Sequence, residues 1–391
     1  MRDRTNPLEL PAWACWNQTA AGRPWTVGVE EEVLLLDALS WSVANRIDDV
    51  LAALPASMRP RVAAETHACV VELRTAPHGT VARAAAELAL LRRALMQVLR
   101  DELDLRPAAA GTHPLATSSE VAVSAGRHQR EVEVATRALA HREPTLALHV
   151  HVAVPDGDTA VRVLDGLRND LPVLLALSAN SPFWRARDSG FASIRTPLFS
   201  MFPRVGIPRQ FGAYAEYVHA VEVLLVSGAI PDPTFLWWDA RLQPRLGTVE
   251  VRVMDSQSRI SDVAGIAALV QCLVRRHADA RRVRAAEPEA LAESRFLAAR
   301  DGMSAYLVDG PRGNRRPVNG ALAELLEACQ QSAARLGCAS ELESAAALAA
   351  DPGAARQRRP AACHGLDSLP ALLGEEFVPA WHAAAVAGAA R

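Results

Sequence analysis

The 391-residue chain contains no lysine, and all 42 of its basic residues are arginine. This absence excludes a P-loop nucleotide-binding motif, whose lysine contacts the phosphates. It also excludes enzymes that form a Schiff base or that hold pyridoxal phosphate through a lysine. Any anion that this protein binds must therefore be held by arginine, by a metal ion or by backbone amides.

Other features that would assign the chain to a class are also missing. The six cysteines are scattered without C-x-x-C spacing, which indicates reduced thiols rather than a disulfide framework. The sequence has no apolar run of about 18 residues and no apolar core of a signal peptide near its start. A net charge of -2 gives no general attraction to nucleic acid or membrane. We therefore expect a cytoplasmic protein without nucleic-acid or membrane partners.

The sequence does contain a repeated pattern, in which charged residues occupy every second position of apolar segments. Successive side chains of a strand point to opposite faces, so such a segment buries one face and turns the other toward a polar partner. Four segments share the pattern: Thr26 to Asp37 with Glu30 and Glu32, Val70 to Thr75 with Glu72, Leu146 to Val154 with His149 and His151, and Thr248 to Asp255 with Glu250 and Arg252. Carboxylates, imidazoles and an arginine on several strands indicate a metal ion that carries an anion. We interpret the pattern as a metal-nucleotide site.

The segments between these strands are mostly helical in pattern. Apolar periodicity predicts helices at about residues 80–104, 159–179, 213–227, 261–286 and 319–336, and a long irregular segment at 180–211. Strands separated by helices and long loops predict an α+β fold with a mixed or antiparallel sheet. We expect the alanine-, proline- and glycine-rich end after about Asp351 to be loosely ordered.

The acidic residues are candidate metal ligands. Mg²⁺ takes oxygen ligands and keeps several waters, so two or three carboxylates per ion plus phosphate oxygens form a typical set. The candidates are Glu30, Glu32, Glu65, Glu72 and Glu250, with His149 preferred over His151 as an additional ligand. The alternative for Glu30 and Glu32 is a solvated strand face. For the two histidines the alternatives are a zinc site or buried side chains that bind no metal.

Three arginines are candidates for binding a phosphate or a carboxylate through two hydrogen bonds. They are Arg195, Arg241 and Arg252. The alternative for each is a structural ion pair, and this alternative is weakest for Arg252.

Taken together, these segments resemble the carboxylate-amine ligase family called glutamate-cysteine ligase type 2. The matching stretches run from about residue 25 to 358 and include TVGVEEEVLLLD, VELRT, GTHP, LHVHVAVPD, ALSANSPFW, RDSGFASIR, PRVGIP, WWDARLQPRLGTVEVRVMD and GAARQR. The resemblance implies a glutamine-synthetase-like fold, in which a curved, mostly antiparallel sheet forms an active-site funnel flanked by helices. It implies an N-terminal extension over residues 1–24, a single catalytic domain over 25–360 and a C-terminal tail over 361–391.

The resemblance also implies a reaction. ATP, with Mg²⁺, phosphorylates a substrate carboxylate, typically the γ-carboxylate of glutamate. An amine, typically that of cysteine, then attacks the acyl phosphate and gives γ-glutamylcysteine. The implied metal positions are Glu30, Glu32, Glu65, Glu72, His149 and Glu250. The implied catalytic residues are Arg195, Arg241 and Arg252, and the implied nucleotide contacts are Arg195, His149 and Arg252.

The chain departs from the family pattern at several positions. Leu146-Ala147 replaces a Cys-Gly pair before the histidines, and Arg127-His128 replaces an Arg-Tyr pair. We therefore expect weak activity with glutamate and cysteine. Two other classes stay open: a binding or regulatory protein that kept the funnel but lost turnover, and a zinc-dependent hydrolase built on His149 and His151. Apolar helix faces are compatible with a monomer and with a homodimer.

Overall fold

The computed structural model describes residues 10–282, 286–309 and 313–378. Within these ranges an antiparallel sheet of seven strands forms the centre of the protein. Its strands are β1 (Val27–Asp37), β2 (Val62–Ala64), β3 (Val70–Arg74), β4 (Leu105–Ala108), β5 (Ala147–Ala153), β6 (Ala240–Gln243) and β7 (Thr248–Asp255). Their spatial order is β6-β7-β5-β1-β3-β2, and β4 pairs with the end of β1. The four charged segments are therefore four consecutive strands of one sheet.

Helices surround this sheet. In the described ranges they are α1 (Gln18–Ala21), α2 (Ile47–Ala53), α3 (Val81–Glu102), α4 (Arg127–Thr136), α5 (Gly157–Leu167), α6 (Leu171–Ser178), α7 (Arg195–Phe199), α8 (Tyr214–Val226), α9 (Ile260–Asp279), α10 (Pro288–Asp301), α11 (Val318–Leu336), α12 (Ala339–Ala350), α13 (Gly353–His364) and α14 (Leu369–Phe377). None of them combines the length and the apolarity that crossing a membrane requires. Short two-stranded ribbons pair Phe183–Trp184 with Arg187–Asp188, Val205–Gly206 with Trp237–Trp238, and Tyr306–Asp309 with Asn314–Pro317.

One face of the sheet forms the main core with helices α3, α5, α6 and α9. The apolar half of each alternating strand lies there, as with Val29 and Val33 on β1 and Val150 on β5, all of them buried. Burial of these side chains is the main stabilising contribution that fixes the strands. The opposite halves of the same strands carry the charged residues, so the core leaves one polar face of the sheet for a site.

Glu31 is an exception to this division, because it is a carboxylate on the core side of β1. It is fully buried and forms an ion pair with Arg92 of α3, whose Nε lies 2.8 Å from a carboxylate oxygen of Glu31. Arg92 also donates to the backbone carbonyls of Gln257, Ser258 and Phe377 at 2.7–2.9 Å. The pair thus ties the strand that carries Glu30 and Glu32 to α3, to the segment after β7 and to α14.

Two predicted helices have different limits in the structure. The helix predicted at 159–179 is divided into α5 and α6, because Pro172 lies at the second position of α6. A proline in a helix interior has no N–H to donate, and its ring clashes with the carbonyl four residues earlier. The helix predicted at 261–286 ends at Asp279, after which Ala280 has an extended backbone; residues 283–285 lie outside the described ranges.

The prediction of loose order after Asp351 is wrong for residues 353–377. These residues form α13 and α14, and α14 packs against β4. Phe377 is fully buried, with its ring 4.5 Å from the guanidinium carbon of Arg92. Residues 379–391 lie outside the described ranges. The predicted domain limits at residues 24 and 360 stay predictions.

Candidate active site

Strand register aligns the charged residues of the polar face into three cross-strand rows. The first row contains Gly28, His151, Glu250 and Arg241; the second contains Arg74, Glu30 and His149; the third contains Glu72 and Glu32. Directly opposite residues of antiparallel strands have their Cβ atoms about 4.5–5.5 Å apart. Residues from four distant parts of the sequence therefore form one cluster.

Glu30 lies at the centre of the cluster, between the two histidines. Its Oε2 atom is 3.5 Å from Nδ1 of His149 and 3.4 Å from Nε2 of His151. Burial opposes the ionisation of Glu30, but His151 and His149 outweigh it and hold the pKa of Glu30 well below its usual range. Burial, together with the nearby Arg252, lowers the pKa of His149 to about 4. At neutral pH, Glu30 is therefore ionised and His149 is a neutral imidazole.

The cluster has a donor set that could bind a cation. Glu30, His149 and Glu250 each offer one ligand atom, and these atoms lie within 4.8 Å of one another. The Nε2 atom of His149 is buried without a hydrogen-bond partner. A buried nitrogen without a partner is costly, and a cation bound at this position would remove that cost for a neutral imidazole. The residues of this part of the sheet thus fit a metal site.

A second set of carboxylates lies beside the first. Burial and the nearby Glu65 raise the pKa of Glu32 to about 8. Burial and the nearby Glu30 raise the pKa of Glu72 well above its usual range, and burial raises that of Glu65. Buried like charges this close cannot all ionise unless a cation neutralises them. Glu32, Glu65 and Glu72 therefore also fit a divalent cation, which would replace their protons.

The side chain of Arg241 forms hydrogen bonds with other groups of the same chain. Its Nε donates to Glu250 at 2.7 Å, and its Nη1 donates to the carbonyls of Thr234 and Leu236 at 2.8 Å each. Gln243 also donates to Glu250 at 2.7 Å. With these contacts Arg241 orients and neutralises Glu250, and few of its donors remain for a phosphate.

Arg252 lies in a β-bulge of β7. Pairing with β5 runs regularly up to Val251 and resumes at Met254, so the bulge contains Arg252 and Val253. On the other side of the strand, the backbone N–H of Arg252 donates to the carbonyl of Asp239 at 2.8 Å, which continues the pairing with β6. Its side chain pairs with Glu250, and its buried Nε has no partner. The bulge therefore turns this guanidinium toward the carboxylate cluster.

Arg195 approaches the same bulge from α7. Its Nη1 donates to the carbonyl of Val253 at 3.1 Å, and its Nη2 donates to that of Arg252 at 3.3 Å. Its Nε is buried and has no partner either. Arg195 and Arg252 line a cavity of about 10 Å³, together with Phe199 and the indoles of Trp237 and Trp238. Two guanidinium groups thus line one small cavity, whose wall also includes Asp239 and Arg295. Guanidinium groups placed side by side in this way are suited to contact an oxyanion.

A much larger groove, of about 490 Å³, opens at the other end of the rows. Glu30, His151 and Gly28 lie at its sheet side. Its remaining walls include the apolar side chains of Pro60, Pro77 and Leu246 and the arginines Arg23, Arg61 and Arg74. The carboxylate cluster therefore lies between this groove and the small arginine cavity.

The sequence did not point to every residue of the site. Arg295 holds Asp239 with two hydrogen bonds of 2.5 and 3.0 Å, and both residues line the small cavity. No local pattern marked Arg295, which lies on the amphipathic helix α10. Asp255 could have been found from the sequence. It is a carboxylate in the series of alternate positions that otherwise carries the apolar residues Val251 and Val253.

Comparisons with known proteins identify relatives over nearly the whole chain. The family described as glutamate-cysteine ligase family 2 matches residues 26–366. A putative glutamate-cysteine ligase 2-3 of Rubrobacter xylanophilus is 38% identical over 340 residues, which cover 86% of this chain and 93% of that protein. A putative glutamate-cysteine ligase 2 of Jannaschia sp. is 32% identical over 346 residues, covering 88% and 91%.

Solved structures share the fold. A glutamate-cysteine ligase of Francisella tularensis, in complex with AMP, has a TM-score of 0.66 and 13% identity and covers 93% of this chain and 90% of its own. A bifunctional glutathione synthetase of Pasteurella multocida has a TM-score of 0.65 and 14% identity, covering 92% and 53%. At these identities the likeness concerns the fold, and it confirms the predicted α+β class with its antiparallel sheet.

Proposed function

Because this chain belongs to glutamate-cysteine ligase family 2, we propose that it joins the γ-carboxylate of glutamate to the amine of cysteine through an acyl phosphate. Membership makes the chain an ATP-dependent ligase that forms an amide bond and acts on small molecules. The proposal concerns the particular substrates, the metal ion and the role of each residue. One observation carries it: the carboxylate cluster lies between a groove large enough for a nucleotide and a small cavity lined by the guanidinium groups of Arg195 and Arg252.

Mg²⁺ would be held by the carboxylates of the cluster. These are Glu30, Glu32, Glu65, Glu72 and Glu250, with His149 as the nitrogen donor beside them. When bound, the cation neutralises phosphate oxygens and orients the phosphoryl group for transfer. Arg241 supports this set by holding Glu250 in place. A zinc hydrolase on the same histidines stays an alternative prediction, which a stoichiometric zinc content of the purified protein would support.

The nucleotide would occupy the large groove. Its apolar walls can contact a purine, and Arg23, Arg61 and Arg74 can balance the charge of the polyphosphate. The γ-phosphate would then point along the rows toward Glu30 and His149. Arg195 and Arg252 lie at the far end of the cluster. They would contact the transferred phosphoryl group and the substrate carboxylate rather than the purine of the nucleotide.

The two chemical steps follow from this placement. In the first, a carboxylate oxygen of glutamate attacks the γ-phosphorus of ATP, the bond to the bridging oxygen breaks, and ADP leaves. In the second, the amine nitrogen of cysteine attacks the acyl carbon, loses a proton, and inorganic phosphate leaves. Arg195 and Arg252 lower the barrier of both steps because their fixed positive charges face the charge that develops on the phosphoryl oxygens.

ADP release with Mg-ATP and glutamate, with and without cysteine, tests the proposal. We expect release to require both substrates and the product to have the mass of γ-glutamylcysteine. Glu30→Gln and Arg252→Ala should abolish turnover without unfolding the protein. Glu216→Gln and Arg209→Ala change exposed residues of the same types and should leave turnover unchanged.

The possible results separate the candidate functions. Release of ADP with a different acid or amine would replace the substrates and keep the residue roles. Bound Mg-ATP without ADP release for any acid-amine pair would favour the binding or regulatory alternative. Full activity of Glu30→Gln or Arg252→Ala would contradict the site.

A further inference from the structure

Several of the sequence stretches that resemble the family contribute no residue other than Arg195 to the site as described so far. GTHP, SANSPFW and the segment that ends in SIR lie outside the metal cluster, and so does the last residue of the strand motif TVEVRVMD. In the structure all of them meet at one side chain, Asp255. Its side chain is fully buried at the end of β7, directly after the bulge.

The carboxylate of Asp255 has two contacts on each of its oxygens. Oδ2 accepts from the backbone N–H of Asn180 at 2.8 Å and from the hydroxyl of Ser181 at 2.7 Å. Oδ1 accepts from the hydroxyl of Ser193 at 2.8 Å and lies 3.7 Å from Nη1 of Arg195. An ionised carboxylate has about four lone-pair sites, and three of them accept hydrogen bonds from these neighbours. The carboxylate is therefore directed at the loop of residues 180–195 and at Arg195.

These contacts join the two ends of the loop that presents Arg195. Ser181 and Ser193 form a parallel bridge, and the N–H of Ile194 donates to the carbonyl of Ser181 at 2.9 Å. The hydroxyl of Ser181 also accepts from the N–H of Arg195 at 3.2 Å. The start of α7 is thus fixed on both sides by the same carboxylate.

Gly111 of the GTHP stretch completes the arrangement. A Cβ at this position would lie 2.6 Å from both Cγ and Oδ2 of Asp255 and 2.8 Å from the hydroxyl of Ser181. Only glycine allows the backbone to approach the carboxylate this closely. The stretch therefore has a structural reason to contain glycine at this position.

We propose that Asp255 is a positioning residue, which acts through Arg195 by fixing the loop of residues 180–195 so that the guanidinium lies beside Arg252 at the small cavity. The proposal rests on the proposed function for its ligand, since the acid is what Arg195 would bind. The partners of Asp255 explain why a buried charge occurs at this position: it aligns a second buried charge that would otherwise have only backbone carbonyls to orient it.

Asp255→Asn tests the proposal with little change of shape. An amide replaces one acceptor oxygen by a donor, which must then face either Arg195 and Ser193 or the N–H of Asn180. Loss of hydrogen bonds to a charged group should raise the dissociation constant for L-glutamate roughly ten- to hundredfold. Calorimetry in the presence of Mg²⁺ and a non-hydrolysable ATP analogue measures this constant. The affinity for the analogue itself should not change.

A double-mutant cycle distinguishes positioning from general stabilisation. If Asp255 acts through Arg195, Asp255→Asn should have little further effect on glutamate binding in an Arg195→Lys background. Ser193→Ala removes one of the four contacts and should show the same effect in weaker form, which keeps the test open if Asp255→Asn fails to fold. Asp165→Asn is the matched control, because Asp165 is a buried carboxylate that accepts from the N–H groups of Phe211 and Gly212. It should lower the melting temperature and leave glutamate binding unchanged.

A crystal structure of Asp255→Asn gives a readout that does not depend on the substrate. We expect the guanidinium of Arg195 to leave the carbonyl of Val253. Additive effects in the cycle, or an Arg195 that keeps its position, would overturn the proposal. If the wild-type protein accepts no carboxylic acid as a substrate, the proposed function is overturned. The position of Arg195 in the crystal structure of Asp255→Asn would still decide the role of Asp255.

Discussion

Lowering the pH should weaken metal binding, because protons and the cation compete for the same carboxylates. Burial and the nearby Glu65 raise the pKa of Glu32 to about 8. Burial also raises the pKa of Glu72 and of Glu65. At neutral pH the metal-free cluster therefore carries protons, which a divalent cation must displace as it binds.

The size of the effect follows from the pKa of Glu32. Below about pH 8, each proton that must leave makes the apparent affinity about tenfold weaker per pH unit. Between pH 8, where Glu32 is half protonated, and pH 6, this group alone should thus weaken Mg²⁺ binding about fiftyfold. The stability of the metal-free protein should change with pH in the opposite direction to its affinity for the metal. Glu32 binds its proton more tightly when folded than at its ordinary pKa of 4.5, so the free energy of unfolding falls as the pH rises through this window.

Isothermal titration calorimetry with MgCl₂ measures the dissociation constant, and two buffers with different ionisation enthalpies give the number of protons released. Glu32→Gln should flatten the pH dependence. Glu30→Gln is the matched control: although burial opposes its ionisation, His151 and His149 keep the pKa of Glu30 well below its usual range. Its loss should weaken binding but keep the pH dependence that Glu32 causes, whereas Glu32→Gln should remove it.

Two results would refute this reasoning. One is a dissociation constant for Mg²⁺ that is the same at pH 6 and pH 8. The other is binding without proton release at neutral pH. Either would mean that the buried carboxylates of the metal-free protein are already ionised. Charged protein side chains, rather than a metal ion, would then neutralise them.

Three further predictions concern the core and the groove. Arg92→Met leaves Glu31 buried without its partner and should lower the free energy of unfolding by about 3–5 kcal/mol, and adding Glu31→Leu should restore most of it, as urea denaturation can measure. Gly265→Ala places a Cβ 2.6 Å from the backbone nitrogen of Ala345, so α9 and α12 must separate and the melting temperature should fall. Gly28→Leu should fill part of the groove and raise the KM for ATP without changing that for the acid. Gly28→Ala, with its nearest neighbours 4.0 Å away, should leave both KM values unchanged in steady-state assays.

The sequence was sufficient to identify the class of the protein. The absence of lysine restricted anion binding to arginine, metal or backbone amides, and the two-residue period placed Glu30, Glu32, Glu72 and Glu250 on one face of their strands. These are local properties, because the direction of a side chain on a strand depends only on its position in the alternation. The expected ATP-dependent ligase class is confirmed by family membership, whereas the roles of the individual residues stay predictions.

The tertiary structure decided which residues meet. Local alternation cannot predict that Glu250 faces Arg241, or that β7 has a bulge at Arg252. Both features depend on how separate strands pair with one another. The same holds for Glu31 on the core side of β1, because its partner Arg92 comes from α3. Asp255 became interpretable only when the loop at 180–195 was folded onto it. Alternation is a property of a single strand, whereas register, bulges and buried ion pairs are properties of the packing between strands and helices.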